Sequence, residues 1–310
     1  MFRIWLDEDI LDSNRPMLEG VAQLVGPNAP IEELATCEAA LDPGVQWNGA
    51  RFDLAPKLKV LSRIGVGYDN IDVAAATERG IMVCNTPFGP TVSTAEHAVA
   101  LIFAAAKTIT YADREVRQGR WHTHFTTYKG MELQGRVFGL VGAGRIGCLV
   151  ARVMQAVGMQ VLACDPCLTP ERADELGLRK VERLEDLLGQ SDIVSLHAPS
   201  TPQTRHLINA KTLAAMKPGS ILVNTARGAL VDESALLASL QSGHLAAAGL
   251  DVFEQEPIRP DNPLLKLENV VLTDHIASHT WAGHDRLFGM AIHHALQALR
   301  GERPDGLLNG

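Results

Sequence analysis

The sequence predicts an α/β protein of two domains with mostly parallel sheets, and three observations lead there. The chain has 310 residues, more than one typical core accommodates. Short β-rich runs alternate with helical stretches from the amino terminus onward. A glycine-rich turn at 142–147 separates an apolar strand from an apolar helical run, the order found in a nucleotide-binding βα unit.

The first series pairs a strand Phe2–Leu6 with a helix Pro16–Val25, a strand Leu58–Ile64 with a helix Val73–Arg79, and a strand Gly80–Cys84 with a helix Ala95–Ile109. This last helix is apolar almost all round, interrupted by His97 and Lys107, which marks it as a buried boundary element. After a polar and aromatic segment, Arg114–Lys129, a second series starts at Arg136 with strands ending near Cys164, Leu196, Asn224, Asp251 and Thr273. A closing helix, about Trp281–Arg300, is expected to return to the first domain. The domains are then 1–97 with 282–310, and 98–281 between them.

Composition narrows the function. The chain is 46% hydrophobic and 21% charged with a net charge of −8, and its basic residues are scattered, which argues against nucleic acid. No apolar run reaches the ~18 residues of a membrane span, and the acidic amino terminus is unlike a signal peptide, so the expected compartment is the cytoplasm. Five cysteines in so long a chain read as reduced thiols.

Val137–Val141 is an apolar strand, and Gly142-Ala143-Gly144-Arg145-Ile146-Gly147 opens the helical run Cys148–Val157. Gly142, Gly144 and Gly147 allow a tight turn, close approach to a pyrophosphate and helix–strand packing; Arg145 and Ile146 lie in the same cofactor-binding turn, and the first amides of the helix that follows face the anion. The next strand ends in Asp165, near the ~20-residue spacing of an acid that binds ribose hydroxyls. A carboxylate there repels a 2′-phosphate, so NAD is favoured over NADP. Cys164 and Cys167 bracket Asp165 at redox spacing, but at a strand end they read as incidental thiols.

Chemistry-bearing residues follow the later strands. His197, Pro199 and Thr204 are placed to wall the cofactor site. Asn224-Thr225-Ala226-Arg227-Gly228 brings an arginine whose fork suits a carboxylate beside a keto oxygen. Asp251 to Pro257 brings Glu256, and Thr273-Asp274-His275 brings a histidine. Alcohol oxidation needs a base and the reverse an acid, the work of a histidine, and a carboxylate beside it favours imidazolium. Singly, each is an ordinary surface residue; together at consecutive strand ends they read as Arg227, Glu256 and His275 of a catalytic group. His279 and His284 rival His275 but lie beyond the strand end; His293 and His294 are read as helix-surface residues. No histidine pair has a metal-ligand arrangement.

These residues resemble the D-isomer-specific 2-hydroxy-acid dehydrogenase family over about residues 55 to the end. The marks are Gly65-Val66-Gly67-Tyr68-Asp69-Asn70-Ile71-Asp72, Asn85-Thr86-Pro87, the glycine turn, Asn224–Gly228, Asp251-Val252-Phe253 with Glu256-Pro257, and His275-Ile276. The resemblance implies a Rossmann NAD-binding domain inserted in a flavodoxin-like substrate domain, and a homodimer whose arm includes the long helix. It implies that Arg227 binds substrate, that Glu256 pairs with the acid/base His275, that Thr225, Ala226 and Asp251 lie at the cofactor, and that amides around Val66 and Gly67 receive the substrate carboxylate. Asp274 departs from the family's usual proline. Ser62–Gly67 and Ser93–Ala98 look most like phosphoglycerate dehydrogenases, with Arg63 or Arg79 as candidate phosphate contacts; hydroxypyruvate or glyoxylate reduction fits nearly as well. A formate-type enzyme has little need of the Glu–His pair. A dinucleotide-sensing corepressor shares the fold and stands as the alternative.

Overall fold

The computed structural model describes residues 1–121 and 130–310, so the end of the Arg114–Lys129 segment lies outside it. The chain divides into one unit of Met1–Ser93 with Ser278–Gly310 and a second of Thr94–Ala277. Each junction falls four residues before the one read from the sequence.

In the first unit, strands β1 (Phe2–Leu6), β2 (Ala22–Val25), β3 (Ala39–Asp42), β4 (Val60–Arg63) and β5 (Met82–Cys84) form a parallel sheet in the order β2-β1-β3-β4-β5, the flavodoxin-like order. One face packs Ile4, Leu6, Leu41 and Val60 against Phe288, Ala291, Ile292 and Ala295 of the closing helix Trp281–Leu299. The other buries Trp47, Phe52, Leu61 and Val83.

Two differences from the sequence reading have physical causes. The helix expected at Pro16–Val25 is a 3-10 turn, Asp12–Met17, followed by β2, whose Ala22–Val25 lie in register with Phe2–Trp5. Its short apolar run fits either period, and Gly20 at φ +69° breaks the chain before it. Strand β3 carries little strand signal because Ala39-Ala40-Leu41-Asp42 has no β-branched residue, yet all four residues are buried. His294 is also corrected. It is 3% exposed rather than on the surface, because the chain end returns over it: Asn85 N–H donates to Gly306 O, and a Cβ at Gly306 would come within 2.6 Å of the imidazole.

The second unit carries seven parallel strands: β6 (Val137–Val141), β7 (Gln160–Cys164), β8 (Arg179–Lys180), β9 (Ile193–Leu196), β10 (Ser220–Asn224), β11 (Leu245–Leu250) and β12 (Val270–Leu272). Their order, β12-β11-β10-β9-β6-β7-β8, is the doubly wound Rossmann order. The strands are apolar runs because helices cover both faces. One face holds Leu101, Ile102, Phe138, Leu140, Val150 and Met154, and the other Leu187, Val194, Leu213, Leu222 and Leu236.

The long helix spans Thr91–Ala106 and stops at Thr108, which takes φ +52°; Ile109–Arg117 then runs on at 66° to it. The expected Ala95–Ile109 helix is therefore two. Among the described residues no single helix is long and apolar enough to cross a membrane.

Candidate active site

The order of the seven-stranded sheet reverses between β6 and β9, and ligands of open α/β sheets sit at such a point. The glycine turn follows β6. Gly142 takes φ +94°, and a Cβ there would lie 2.7 Å from the His197 carbonyl group of the loop after β9. At Gly147 a Cβ would lie 2.2 Å from Gly142 O, so this glycine is needed for helix–strand packing. Gly144 differs: its φ of −74° suits any residue and a Cβ would meet nothing within 4 Å. Neither backbone nor packing asks for glycine there, as expected where a ligand's phosphate approaches.

The helix Arg145–Ala156 has no side-chain cap, which leaves first-turn amides open to an anion. Asp165, at the end of β7, accepts from Ala143 N–H at 2.7 Å and Cys167 N–H at 2.7 Å, anchoring it beside the turn. Thr204 donates to Pro199 O at 2.7 Å and closes the loop after β9. His197 bonds Ser195 Oγ at 2.9 Å, and burial pushes its imidazole down to about 4, so it is neutral at pH 7. Thr225 Oγ1 is buried without a partner among the described residues. An open Gly144, an uncapped helix and an orphaned hydroxyl fit a bound dinucleotide.

Arg227, Glu256 and His275 follow β10, β11 and β12, three neighbouring strands. Asn224 shapes the first loop: its Oδ1 accepts from Ala226 N–H and its Nδ2 donates to Arg227 O. Gly228 is required by close approach, since a Cβ would lie 1.9 Å from the Phe253 carbonyl carbon and oxygen. The Arg227 and Glu256 loops therefore touch through backbone. Glu256 Oε1 accepts from Phe253 N–H at 2.9 Å, and His275 Nδ1 bonds Glu256 Oε2 at 2.6 Å. Burial acts to raise the Glu256 pKa, but the bonds from His275 and Phe253 and the charges of His275 and Arg227 hold it below the ordinary carboxylate value. Glu256 is thus ionised at neutral pH. Its His275 partner must be Nδ1–H, which leaves Nε2 for exchange.

His275 sits at φ +58°, a left-handed position that few residues other than glycine adopt. One aspartate secures it. Asp251 O accepts from His275 N–H, Oδ1 from Ile276 N–H, and Oδ2 from Ala277 N–H. Thr273 Oγ1 also donates to Oδ1 at 2.6 Å, and His97 Nε2 lies 3.0 Å from Thr273 Oγ1. Asp251, placed at the cofactor by the resemblance, is fully buried beneath this loop. Sequence reasoning missed His97, whose signal was a polar residue in an apolar helix. Asp274 is exposed and takes part in none of the bonds that fix the loop. Of the rival histidines, His279 stacks edge-on with His284 at 4.7 Å and neither bonds Glu256.

In the first unit the loop after β4 presents Gly65, Val66 and Gly67. Their carbonyls are turned inward: Gly65 O accepts from Thr86 N–H, Val66 O from Asn85 Nδ2 and Gly67 O from Arg63 Nε. Among the described residues no protein group accepts from Val66 or Gly67 N–H. Arg63 also donates to Asp42 O and Ile64 O, faces the buried Asp42 carboxylate at 3.6 Å, and is 14% exposed. These bonds build Arg63 into the loop. Arg79 is engaged as well, with Asp53 and Ala75 O.

The profile of the D-isomer specific 2-hydroxyacid dehydrogenase NAD-binding domain matches residues 99–277. The chain belongs to the D-isomer specific 2-hydroxyacid dehydrogenase family. It is an NAD-dependent oxidoreductase. A glyoxylate reductase of Korarchaeum cryptofilum is 46% identical over 285 residues, 90% of this chain and 85% of that protein. A D-3-phosphoglycerate dehydrogenase of Archaeoglobus fulgidus is 50% identical over 226 residues, 73% of this chain but 42% of that protein, so the match spans less than half of that relative. The crystal structure of the TT0316 protein from Thermus thermophilus superposes with a TM-score of 0.90 at 36% identity, covering 99% of this chain and 100% of that one.

Proposed function

We propose that this dehydrogenase interconverts a small unphosphorylated 2-keto acid, of the glyoxylate or hydroxypyruvate kind, and its D-2-hydroxy acid. The observation that carries this is the 2.6 Å bond between His275 Nδ1 and the ionised Glu256, at a strand end of the unit that holds the dinucleotide turn. NADH held at the glycine turn and Asp165 would supply the hydride for the carbonyl carbon. His275 Nε2 gives its proton to the carbonyl oxygen, and takes it back in the oxidation. Glu256 keeps the imidazole oriented by accepting from Nδ1–H, so that Nε2 faces the exchange. Arg227 holds the substrate's oxygens by its planar fork. Asp251 and His97 fix the His275 backbone, and Thr225, Ala226 and Asp165 serve the cofactor.

In the first unit, the Val66 and Gly67 amides are the reading for a carboxylate receiver. The enclosure of Arg63, 14% exposed and tied to three carbonyls, supports an unphosphorylated substrate over 3-phosphoglycerate. We further propose a cytoplasmic homodimer with no nucleic acid or membrane partner. Supporting this are the net charge of −8, the five unpaired thiols, and the exposed Ile109, Val116 and Trp121 on and after the second arm helix.

The test is NADH and NADPH oxidation against glyoxylate, hydroxypyruvate, its 3-phosphate and bulkier 2-keto acids. Reduction of an unphosphorylated acid with NADH is expected. Tight NADH binding with no turnover of any acid would instead favour a sensor, and preference for the phosphorylated acid would overturn the substrate class.

A further inference from the structure

We propose that His206 is a positioning residue for this reaction, holding the Arg227 and Glu256 loops in one register through Glu254. The inference rests on the roles given above to Arg227 and Glu256.

His206 lies in the loop after β9 and touches both neighbouring loops. Its N–H donates to Ala229 O at 2.8 Å, two residues after Arg227, and its Nε2 bonds Glu254 Oε1, two residues before Glu256. Glu254 is gripped in turn: its N–H donates to Glu233 Oε1 at 2.6 Å, while its Oε2 accepts from Glu233 N–H at 3.4 Å. Glu233 Oε2 accepts from Asn262 Nδ2 at 3.0 Å, tying in the chain beyond Pro257. These bonds flank the close contact of Gly228 with Phe253, where the two loops meet without side chains between them.

His206 takes φ +47°. Histidine enters this left-handed region more readily than most side chains, and here its Nε2 meets Glu254 Oε1.

The magnitudes make the idea testable. The His206 and Glu254 side chains are 34% and 31% exposed, and so wet a pair contributes little to stability. A small displacement of a reacting group, by contrast, is costly to the rate. A positioning role therefore lowers turnover with little change in melting temperature, whereas a merely structural role lowers both or only the second.

The experiment uses the full chain and the faster of glyoxylate and hydroxypyruvate. His206→Gly accepts the left-handed backbone and removes only the side chain; kcat/KM should fall about tenfold, with kcat lowered and KM raised. NADH affinity and Tm should stay near wild type. Glu254→Gln should cost a similar factor, the double variant no more than either alone, and His206→Gln, which restores a nitrogen at similar reach, should recover most of the loss. Wild-type kcat/KM in His206→Gly, or a loss of activity that tracks Tm with no rescue by glutamine, overturns the proposal. Should the glycine variant not fold, Glu254→Gln decides it: a roughly tenfold fall in kcat/KM at near-wild-type Tm upholds the proposal, and wild-type kcat/KM, or a loss that tracks Tm, overturns it. Wild-type turnover in Glu256→Gln would show instead that the underlying reading of the site has failed.

Discussion

At the carboxyl edge of the seven-stranded sheet the groups on offer are side chains, Arg227, Glu256 and His275, each on a loop held by a neighbour such as Asn224, Phe253 or Asp251. At the carboxyl edge of the five-stranded sheet they are backbone amides, at Val66 and Gly67, and the nearest guanidinium, Arg63, lies beneath them tied to carbonyls. The difference teaches where each edge is vulnerable. On the proposed roles, deleting one side chain removes chemistry from the first, whereas the second can be damaged only through the residues that shape its loop.

The largest effect is expected from His275→Ala, which should lower kcat about 10³-fold while NADH affinity is retained. A near-wild-type kcat would move the acid/base elsewhere. Arg227→Lys keeps the charge and loses the fork; about a 10²-fold fall in kcat/KM is expected. Equal activity would reduce Arg227 to a generic cation. On the other edge, Arg63→Ala should raise KM for the keto acid about tenfold, an order-of-magnitude figure for lost preorganisation, with kcat little changed. If instead only a phosphorylated substrate suffers, Arg63 contacts ligand and the comparison between edges fails.

The smallest effect is on stability. The Glu256 pKa is depressed in the fold, so its contribution is full above the ordinary value of about 4.3 and is lost as pH falls through the depressed one. The Tm gap between wild type and Glu256→Gln should accordingly be widest at neutral pH and close in acid. A gap independent of pH would mean that the carboxylate's charge is not what the fold uses.

Much of this was legible in the sequence because the chemistry coincides with local signals. Gly142 and Gly144 sit between a strand and a helix with Gly147 in the helix's first turn, and Arg227, Glu256 and His275 each follow an apolar run, so linear order gives sheet-edge position. What was not legible depends on contacts between distant segments. Arg63 looks like a surface cation until Asp42 O and Gly67 O are seen around it. His294 reads as helix surface until Gly306 is seen against it, and His206 has no meaning until Glu254 is beside it. Strand β2 escapes a sequence reading because four residues do not define a period.

The central claim is that His275 and Glu256 act as one proton-handling unit. It is tested most directly by a cycle of His275→Ala, Glu256→Gln and the double variant, reading kcat for the best keto acid with NADH saturating. Acting as a unit, the double variant should be no slower than His275→Ala alone. If the two losses multiply, the residues work independently and the pair is not the relay.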